Sequence, residues 1–474
     1  EMAVARANFG WELMFKHAQP LEARTQFVQA VAAVPSSAML MRELAASSML
    51  LPLQLGGVFS NGATRGGLLQ GENGTWSYLR PASQNTDFEY LEAWEASAAL
   101  RHQPPLLPAS VEERALLDAG VPMASLLPLR DPFEIAAEAN DQATVRLPMP
   151  RTLVREHRLR HDLQLLQLLR ERGLIDPSTG VAAVAAYREV LATAPKVQEG
   201  LLAMSEELWR LLYPYFNRRL YVHPCQALPV PAVVFQGQAT ALRSGVGQPR
   251  AWPPVGGILS EGGVLIVEDV LSDKALQLLR DFSELSTIWY KEYDTYLGAM
   301  MWSGFSTPLL AQIASELRAA FPDLLCDMVL QYVWAFKYDE WTSEGINTHA
   351  DDAAVNINLW LTPDDENLDP ETGGLVIYDA DVLGTNLTAA DYQNPSRSSQ
   401  PLVENLIERT GRANITVPYR QNRAVIFPST RLHYSQPFVF RSGIRSRRIN
   451  LTFLFGHRGL FCPNRASASF GLRK

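Results

Sequence analysis

Apolar residues recur at two different spacings along this chain, and the spacing changes near residue 257. Over residues 11–34 and 155–172 they return every three or four positions, which predicts amphipathic helices. Beyond residue 257 most apolar runs are short and are separated by turn residues, which predicts strands. Residues 1–222 are therefore predicted to form a mainly helical domain.

The second half of the chain predicts a β-rich domain over residues 258–474. Two helices are expected early in it, at 273–284 with Ser272 as the N-cap and at 308–321. Strands are predicted at 263–270, 328–337, 354–361, 374–378, 415–417, 423–427 and 446–455. The expected fold class is α+β, a β-barrel or β-sandwich with flanking helices, preceded by the helical domain.

Residues 223–257 are rich in Pro and Gly, and we predict that they form a linker between the two domains. A second long excursion, residues 380–422, separates two longer predicted strands and is rich in Asn, Ser, Thr and Arg. A segment of this length is expected to be either a lid over a site or a surface excursion.

One pattern in the helical region occurs twice. Small and aromatic residues followed by proline recur at the same offsets in two places, Ala23, Phe27, Ala30 and Pro35, and again Ala183, Tyr187, Val190 and Pro195. The spacing resembles the second helix of a tetratricopeptide repeat, although two ordinary amphipathic helices explain it equally well. If the region is repeat-like, its aromatic residues would be natural groove residues for a peptide, although aromatic residues at helical spacing more often belong to a core. They are Trp11, Tyr187, Trp209, Tyr213 and Tyr215.

Composition and charge narrow the class of protein. The chain has 474 residues, 47% of them hydrophobic, and a formal net charge of −8, so nothing favours binding to nucleic acid or to an anionic membrane. Its three cysteines are far apart, which excludes a disulfide framework and a zinc ribbon and fits a reducing compartment. No apolar run reaches the roughly 20 residues of a membrane span. We expect a soluble intracellular protein, most simply a cytoplasmic one; its oligomeric state is left open.

A histidine and a carboxylate two residues apart, His349 and Asp351, are the first candidate for chemistry. In extended backbone they point to the same side and can supply two ligands to one metal ion. His433, six residues beyond the predicted strand at 423–427, is the best candidate for a third. Two histidines and one carboxylate form the facial triad typical of non-haem Fe(II) oxygenases, which leaves three coordination positions open.

The last predicted strand carries a polar row on one face, formed by Arg448, Asn450 and Thr452. An arginine that points into a barrel needs an anionic partner, and a guanidinium can hold a carboxylate by two parallel hydrogen bonds. The alternative is that Arg448 is the exposed end of an arginine cluster that includes Arg447.

Together these segments resemble the 2-oxoglutarate and Fe(II)-dependent dioxygenase superfamily, in the branch that includes prolyl hydroxylases. The resemblance rests on residues 338–345 leading into His349 and Asp351, on Gly373-Gly374, on residues 424–428 before His433, and on residues 448–450. It spans residues 263–456 and implies a double-stranded β-helix (jelly-roll) fold, with Fe(II) held by the two histidines and Asp351.

The resemblance also implies a co-substrate and a reaction. It implies that 2-oxoglutarate and O₂ are consumed, with Arg448 on the distal carboxylate and Tyr338 and Asn450 as helpers. Related halogenases lack the carboxylate ligand, so Asp351 favours hydroxylation of an unactivated C–H bond, although desaturation or ring formation would need the same ligands. The substrate is expected to be a small molecule, such as an amino acid or natural-product intermediate, or alternatively a peptide or protein side chain. A non-catalytic scaffold on the same fold is the competing class.

A second histidine pair, His157 and His161, stands one helical turn apart in the region 155–172. This spacing can bind zinc, but no third ligand is evident. The expectation is therefore a solvated helix face.

Overall fold

A computed structural model describes residues 152–235, 239–242, 263–325, 328–340, 344–393 and 399–456, together with a few positions earlier in the chain and Leu259. Most of the predicted helix at 11–34 and Trp11 itself lie outside the described residues. No helix among the described residues is long and apolar enough to cross a membrane.

The elements before residue 213 are short strands and a helical layer. Among the residues that the structure describes there, a two-stranded pair, β1 and β2, precedes a three-stranded sheet, β3–β5, and three helices, α1–α3. Their bounds are β1 Leu68–Gln70, β2 Trp76–Tyr78, β3 Leu153–Arg155, α1 Glu156–Glu171, α2 Pro177–Thr193, β4 Lys196–Gln198, β5 Leu201–Ala203 and α3 Glu206–Leu212.

Local capping and one buried face explain helix α2. The Asp176 side chain accepts a hydrogen bond from the Thr179 amide, and Pro177 occupies the first turn, where its missing N–H costs nothing. Ala183, Tyr187 and Val190 are buried against α1, as their spacing predicts. Only part of the matching first copy is described, with Phe27 and Ala30 buried in a helix, so the repeat stays a prediction.

The aromatic residues that a peptide groove would need are in the core instead. Tyr187, Trp209 and Tyr213 are buried in the hydrophobic cluster of the helical layer. The predicted groove is therefore wrong for these three side chains, because their rings fill the space between α1, α2 and α3.

In the described part of the remaining chain, eleven further strands and five α-helices follow, and the helices and strands predicted for residues 258–474 are present with bounds that differ by a few residues. They are β6 Thr240–Leu242, β7 Val264–Val267, α4 Asp273–Leu285, β8 Lys291–Glu292, β9 Tyr296–Met300, α5 Pro308–Ala320, α6 Pro322–Leu325, β10 Leu330–Tyr338, β11 Val355–Trp360, β12 Leu375–Asp381, α7 Ala389–Tyr392, α8 Gln400–Arg409, β13 Asn414–Val417, β14 Ala424–Pro428, β15 Arg431–Ser435 and β16 Ile449–Phe455. Ser272 caps α4, as predicted, by accepting from the Ala275 amide.

Two antiparallel sheets face each other. The larger has eight strands in the order β6-β7-β14-β11-β16-β10-β9-β8, and the smaller has three in the order β13-β12-β15. Apolar side chains from both, such as Val425 and Phe427 from the large sheet and Ile377 and Ile415 from the small one, form a single buried cluster. Two sheets that share a core and exchange strands in this order are a jelly roll, in agreement with the predicted α+β class.

The outer face of the large sheet is covered by helices. Buried residues of α4 and α5 share one cluster with alternate residues of the strands, including Val333, Ile357 and Leu451. The sheet therefore has a dry outer face and an inner face that is free to line a site.

The described part of the predicted linker is not a free connection. Within residues 223–257, strand β6 pairs with β7 at the edge of the large sheet. The amides of Ala232 and Val233 both donate to a Glu316 carboxylate oxygen, at 2.7 Å. This stretch belongs to the barrel, and the domain limits at 222 and 257 stay predictions.

The predicted solvated face of α1 is wrong. His157 and His161 are buried, and the His157 Nε2 lies 2.8 Å from the carbonyl oxygen of Tyr293. Arg158 and Tyr187 both donate to the Asp162 carboxylate, each at 2.9 Å. These polar residues look solvated by composition, but they form a hydrogen-bonded network between the helical layer and the barrel.

Lys337 of β10 completes this network from the barrel side. It is fully buried, with its ammonium 4.3 Å from the centre of the Trp289 ring and 3.4 Å from the His161 Nε2. Burial, assisted by the positive charge of Arg447, holds the pKa of Lys337 well below its usual range, although Glu284 and Asp162 act in the opposite direction. The fold therefore favours the neutral amine.

We predict that the free energy of unfolding depends on pH through Lys337. Between its folded and unfolded pKa values the unfolded state binds the extra proton, so stability rises with pH by up to about 1.4 kcal/mol per pH unit. Urea unfolding of the full chain and of Lys337→Met at pH 7, 8 and 9 should show the advantage of the variant shrinking as pH rises. Lys274→Met, at an exposed lysine, is the control, and parallel pH curves for Lys337→Met and the parent would contradict the prediction.

Candidate metal centre and anion pocket

His349 and His433 are joined through their backbones. The His349 amide donates to the His433 carbonyl at 2.9 Å, and the His433 amide donates to the His349 carbonyl at 2.8 Å. Residues so paired in an antiparallel ladder carry side chains on the same face, and the two rings lie 4.3 Å apart between centroids. Strand β15, which carries His433, was not predicted from the sequence.

Gly345 allows this pairing. The segment that leads into His349 runs so close to β15 that a Cβ at Gly345 would stand 2.4 Å from the carbonyl oxygen of Ser435. Any larger residue would push the segment away from β15.

Asp351 completes the group that the sequence predicted. Its Oδ2 lies 3.7 Å from the His433 Nε2, and the candidate ligand atoms of the three residues all lie within 4.8 Å of one another. Among the described residues this is the only cluster of three or more such side chains that could hold a metal ion. The structure thus brings His349, Asp351 and His433 together; their role as ligands stays a prediction.

Each histidine is oriented by its other ring nitrogen. The His349 Nδ1 is 2.7 Å from the Asn347 carbonyl oxygen, and the His433 Nδ1 is 2.9 Å from the Arg431 carbonyl oxygen. Because a carbonyl can only accept, each Nδ1 carries a proton, and in the neutral form of such a ring the lone pair available to a metal is on Nε2.

Burial sets the charge state of the centre. Burial lowers the pKa of His433 well below its usual range, and neighbouring His349 adds to that effect. Burial also raises the pKa of Asp351, against the influence of His349 and of a hydrogen bond from Asn356. Histidine and carboxylate ligands must be deprotonated to bind a metal ion. A neutral imidazole beside a carboxylate that lacks a counter-ion therefore favours the binding of a cation.

Arg448 is the second feature of the interior. It is 1% exposed, its Nε donates to the Gly373 carbonyl at 2.9 Å, and its Nη1 and Nη2 have no hydrogen-bond partner in the structure. The rings of Tyr338, Tyr419 and Phe438 surround the guanidinium at 4.7–5.8 Å. A buried cation with two unsatisfied nitrogen atoms among aromatic rings is a site for an anion.

Arg448 and the metal candidates share the same interior. The Tyr338 hydroxyl lies 3.4 Å from the Ser435 Oγ, and the Tyr338 ring packs on Arg448. Ser435 is two residues beyond His433 on β15, so both side chains point inward about 7 Å apart along the strand. Ser435 and Tyr338 thereby connect the face of β15 that carries His433 to the Arg448 guanidinium.

The neighbouring arginine has a different role. Arg447 is buried too, but its guanidinium is bonded to Asp339 at 3.2 Å and to Glu340 at 3.4 Å. Two consecutive residues of an extended chain face opposite ways, which puts Arg447 against the helical layer and Arg448 in the barrel. The structure thereby excludes the alternative that Arg448 is the exposed end of an arginine cluster.

A row of buried amides supports Asp351, and only one of its members was singled out in the sequence. The Asn356 Nδ2 donates to the Asp351 Oδ2 at 2.8 Å, and the Asn358 Nδ2 donates to the Asn356 Oδ1 at 2.6 Å. Asn450 and Thr452 both donate to the Asn358 Oδ1, at 3.3 and 3.2 Å. The predicted co-substrate helper Asn450 is thus part of this amide row, although its own Oδ1 has no partner. The alternation of Asn356 and Asn358 on β11 was the signal that could have revealed the row.

The excursion at 380–422 packs beside the centre. It forms α7, α8 and β13, and Val403 and Ile407 of α8 share a buried cluster with Ala350. The Ala350 amide donates to the Tyr392 carbonyl at 3.0 Å. The described part of this segment therefore supports the loop between His349 and Asp351 from the side.

Comparison with known proteins returned solved structures only. No protein-family model and no curated protein matches the chain. Similar solved structures include the non-heme alpha ketoglutarate dependent carbocyclase SnoK from nogalamycin biosynthesis, at 12% identity and a TM-score of 0.32, over 45% of this chain and 90% of that one. HygX from Streptomyces hygroscopicus, with nickel, 2-oxoglutarate and hygromycin B bound, has 12% identity and a TM-score of 0.29, over 42% and 84%. A 2OG-Fe(II) oxygenase family oxidoreductase from Burkholderia pseudomallei has 10% identity and a TM-score of 0.27, over 42% and 87%. At these TM-scores the likeness decides nothing about this chain, whose fold and site stand on its own strand pairing and side-chain geometry.

Replacing Asn356 should weaken metal binding without unfolding the barrel. A residue that orients a ligand typically contributes about 10- to 100-fold to metal affinity. We expect Asn356→Ala to bind Co(II) that much more weakly, measured by visible absorption during titration of the metal-free protein. Asn414→Ala, an exposed amide on β13, is the matched control. Equal affinities for both variants would show that the amide row does not hold Asp351 in place.

Proposed function

We propose that this protein is a non-haem Fe(II) and 2-oxoglutarate-dependent oxygenase that oxidises an unactivated C–H bond of a small molecule. The proposal also places it in the superfamily that its motifs resemble. The observation that carries it is the buried Arg448, whose two Nη atoms lack partners in the same interior as the His349, Asp351 and His433 cluster.

Arg448 separates this proposal from other uses of the same ligands. Two histidines and a carboxylate also bind Zn²⁺ in hydrolytic enzymes. A zinc site, however, gives no reason to bury an unneutralised guanidinium in the same cavity, at a cost of several kcal/mol. A dicarboxylate that chelates the metal at one end and meets Arg448 at the other explains both features together.

The residues present fit Fe(II) and its co-substrate. The Nε2 atoms of His349 and His433 and the Asp351 carboxylate would hold the metal, a set of ligands that leaves room for co-substrate and O₂. When bound, Fe(II), 2-oxoglutarate and O₂ together supply an oxidant able to break a C–H bond, with succinate and CO₂ as co-products.

This chain's own residues would orient the co-substrate and exclude water. The Gly373 carbonyl fixes the Arg448 Nε, which leaves Nη1 and Nη2 to donate to a distal carboxylate. Tyr338 packs on the guanidinium and bonds to Ser435, which closes the end of the pocket. The aromatic rings around Arg448 keep water from competing for its hydrogen bonds, which strengthens them.

The type of reaction is a finer part of the proposal. Hydroxylation is the outcome that Asp351 favours, while desaturation and ring formation remain alternatives with the same ligands. A small-molecule substrate is favoured over a peptide because Tyr187, Trp209 and Tyr213, which could have bound a peptide, are buried in the core of the helical layer.

The direct test is the pair of signals that a loaded centre gives. Anaerobic addition of Fe(II) and then 2-oxoglutarate should produce a weak visible metal-to-ligand absorption band, and admitting O₂ should then release succinate. Asp351→Ala should abolish both signals. A chain that binds Fe(II) but shows neither the band nor succinate would be a scaffold rather than an enzyme.

Arg448→Met should raise the dissociation constant of 2-oxoglutarate by about 100-fold, because two charge-assisted hydrogen bonds are lost. Fe(II) affinity should stay within about twofold. Titration of the visible band with 2-oxoglutarate measures the first quantity, and titration of the metal-free protein measures the second. Arg441→Met, at an exposed arginine, is the matched control. An unchanged co-substrate affinity in Arg448→Met would remove the basis of the proposed function.

A further inference from the structure

Strand β10 presents two different faces. Val333, Ala335 and Lys337 are buried against the helices, while Tyr332, Trp334 and Phe336, which alternate with them, are only half-buried. Since alternate residues of a strand point to opposite faces, the half-buried aromatic residues lie on the inner face of the large sheet.

Strand register places this aromatic face beside the candidate metal centre. Trp334 stands opposite Thr452 of β16, which in turn stands opposite Asn358 of β11. Paired residues of an antiparallel sheet project to the same side, and Asn358 belongs to the amide row that ends on Asp351. Trp334 therefore faces the same interior as the three candidate ligands.

The aromatic face continues onto β9. Tyr296 stands opposite Tyr338, and its ring lies 5.1 Å from that of Phe336. Burial raises the pKa of Tyr296, and the Asp351 carboxylate is among the nearby groups that add to this rise. The Tyr296 ring also lies 5.4 Å from that of Tyr338, which packs on Arg448. We call Tyr296, Tyr332, Trp334 and Phe336 the aromatic wall.

The wall is accessible in part. Tyr332, Trp334 and Phe336 are each only half-buried, so solvent reaches the inner face of β10 at these rings. Tyr293 adds a further ring to this face, stacked on Tyr296 at 4.4 Å and edge-on to Phe336 at 5.6 Å between centroids. At the end of β10 the small sheet packs on the strand, where the Tyr338 hydroxyl lies 3.4 Å from the Ser435 Oγ.

The inner face of the large sheet carries little charge beside the aromatic wall. Register puts Leu454, Thr452, Asn450 and Met300 on it beside the wall. The amides are bonded to one another, and Arg448 at the far end is assigned to the co-substrate. The cation nearest in register is Lys291 at the outer edge, which lies against Tyr293.

We propose that the aromatic wall binds the substrate, and that this substrate is a small molecule with a flat or ring-shaped apolar face and no charge on that face. Aromatic rings bind such faces by stacking and edge contacts. A free amino acid would instead need polar partners for both its ammonium and its carboxylate, which the wall does not offer. This inference deepens the proposed function and rests on it for the reaction, but not for binding.

The probe for the test is 2-naphthol, which is flat and uncharged at neutral pH. Isothermal titration calorimetry should show it binding to the full chain, with and without Fe(II) and 2-oxoglutarate. Trp334→Ala should weaken binding by about 5- to 10-fold, the usual scale for one aromatic contact. Trp334→Phe, which keeps a ring, should lose much less. Tyr378→Ala is the matched control. It removes a half-buried aromatic side chain from the face of β12 that points away from the barrel interior, so it should change binding by less than about twofold.

Three results would overturn the inference: no binding of 2-naphthol, equal binding to the parent and Trp334→Ala, or tighter, Trp334-dependent binding of L-arginine or of a Pro-Pro-Gly peptide. The visible band with Fe(II) and 2-oxoglutarate is recorded on the same samples. Trp334-dependent binding without the band would refute the oxygenase proposal alone, whereas a normal band without Trp334-dependent binding would refute the aromatic wall alone.

Discussion

The backbone pairing of His349 with His433 is the contact on which the rest of the site depends. The two residues come from stretches of chain that are far apart in sequence, and two hydrogen bonds between their own amides and carbonyls fix them side by side. Each further part is placed relative to this pair. Asp351 follows two residues later, where its amide donates to Ser429 at the turn that leads into β15. The close approach at Gly345 and the packing of Ala350 under Tyr392 hold the same loop from both sides.

The consecutive arginines Arg447 and Arg448 show how strand alternation distributes charge. Both are buried, yet only Arg447 has carboxylate partners, and these lie on the side of the helical layer. Arg448 faces the barrel with a single carbonyl partner. A fold that neutralises one buried guanidinium and leaves its neighbour without an anion is not explained by stability, since a lone buried charge is unfavourable. In the proposed function the co-substrate would supply the missing carboxylate.

Much of the barrel could be predicted from the sequence because alternation carries the information. Strands β10, β11 and β16 of the large sheet have nine, six and seven residues and are apolar on at least one face. The same parity argument placed Arg448, Asn450 and Thr452 inside. Strand β15 escaped prediction because its sequence, Arg-Leu-His-Tyr-Ser, is short and polar and is held by pairing with β12 and His349. The burial of the α1 network was not predicted for a related reason. Arg158, His161 and Asp162 satisfy one another in the interior. The polarity of a single residue does not reveal that further partners lie elsewhere in the chain.

Strand β10 contacts the helical layer with one face and the candidate site with the other. Its outward residues, ending in Lys337, contact Trp289 and His161, while its inward residues form the aromatic wall and end in Tyr338 on Arg448. A strand packed on one side only could shift by a fraction of an ångström, and a shift of that size is enough to misalign a reacting group. The buried network behind β10 resists such movement because every displaced polar group would lose a partner in a dry environment. The helices therefore support the pocket wall from behind. This support accounts for the many polar side chains that are buried at a contact far from solvent and from the candidate metal ligands.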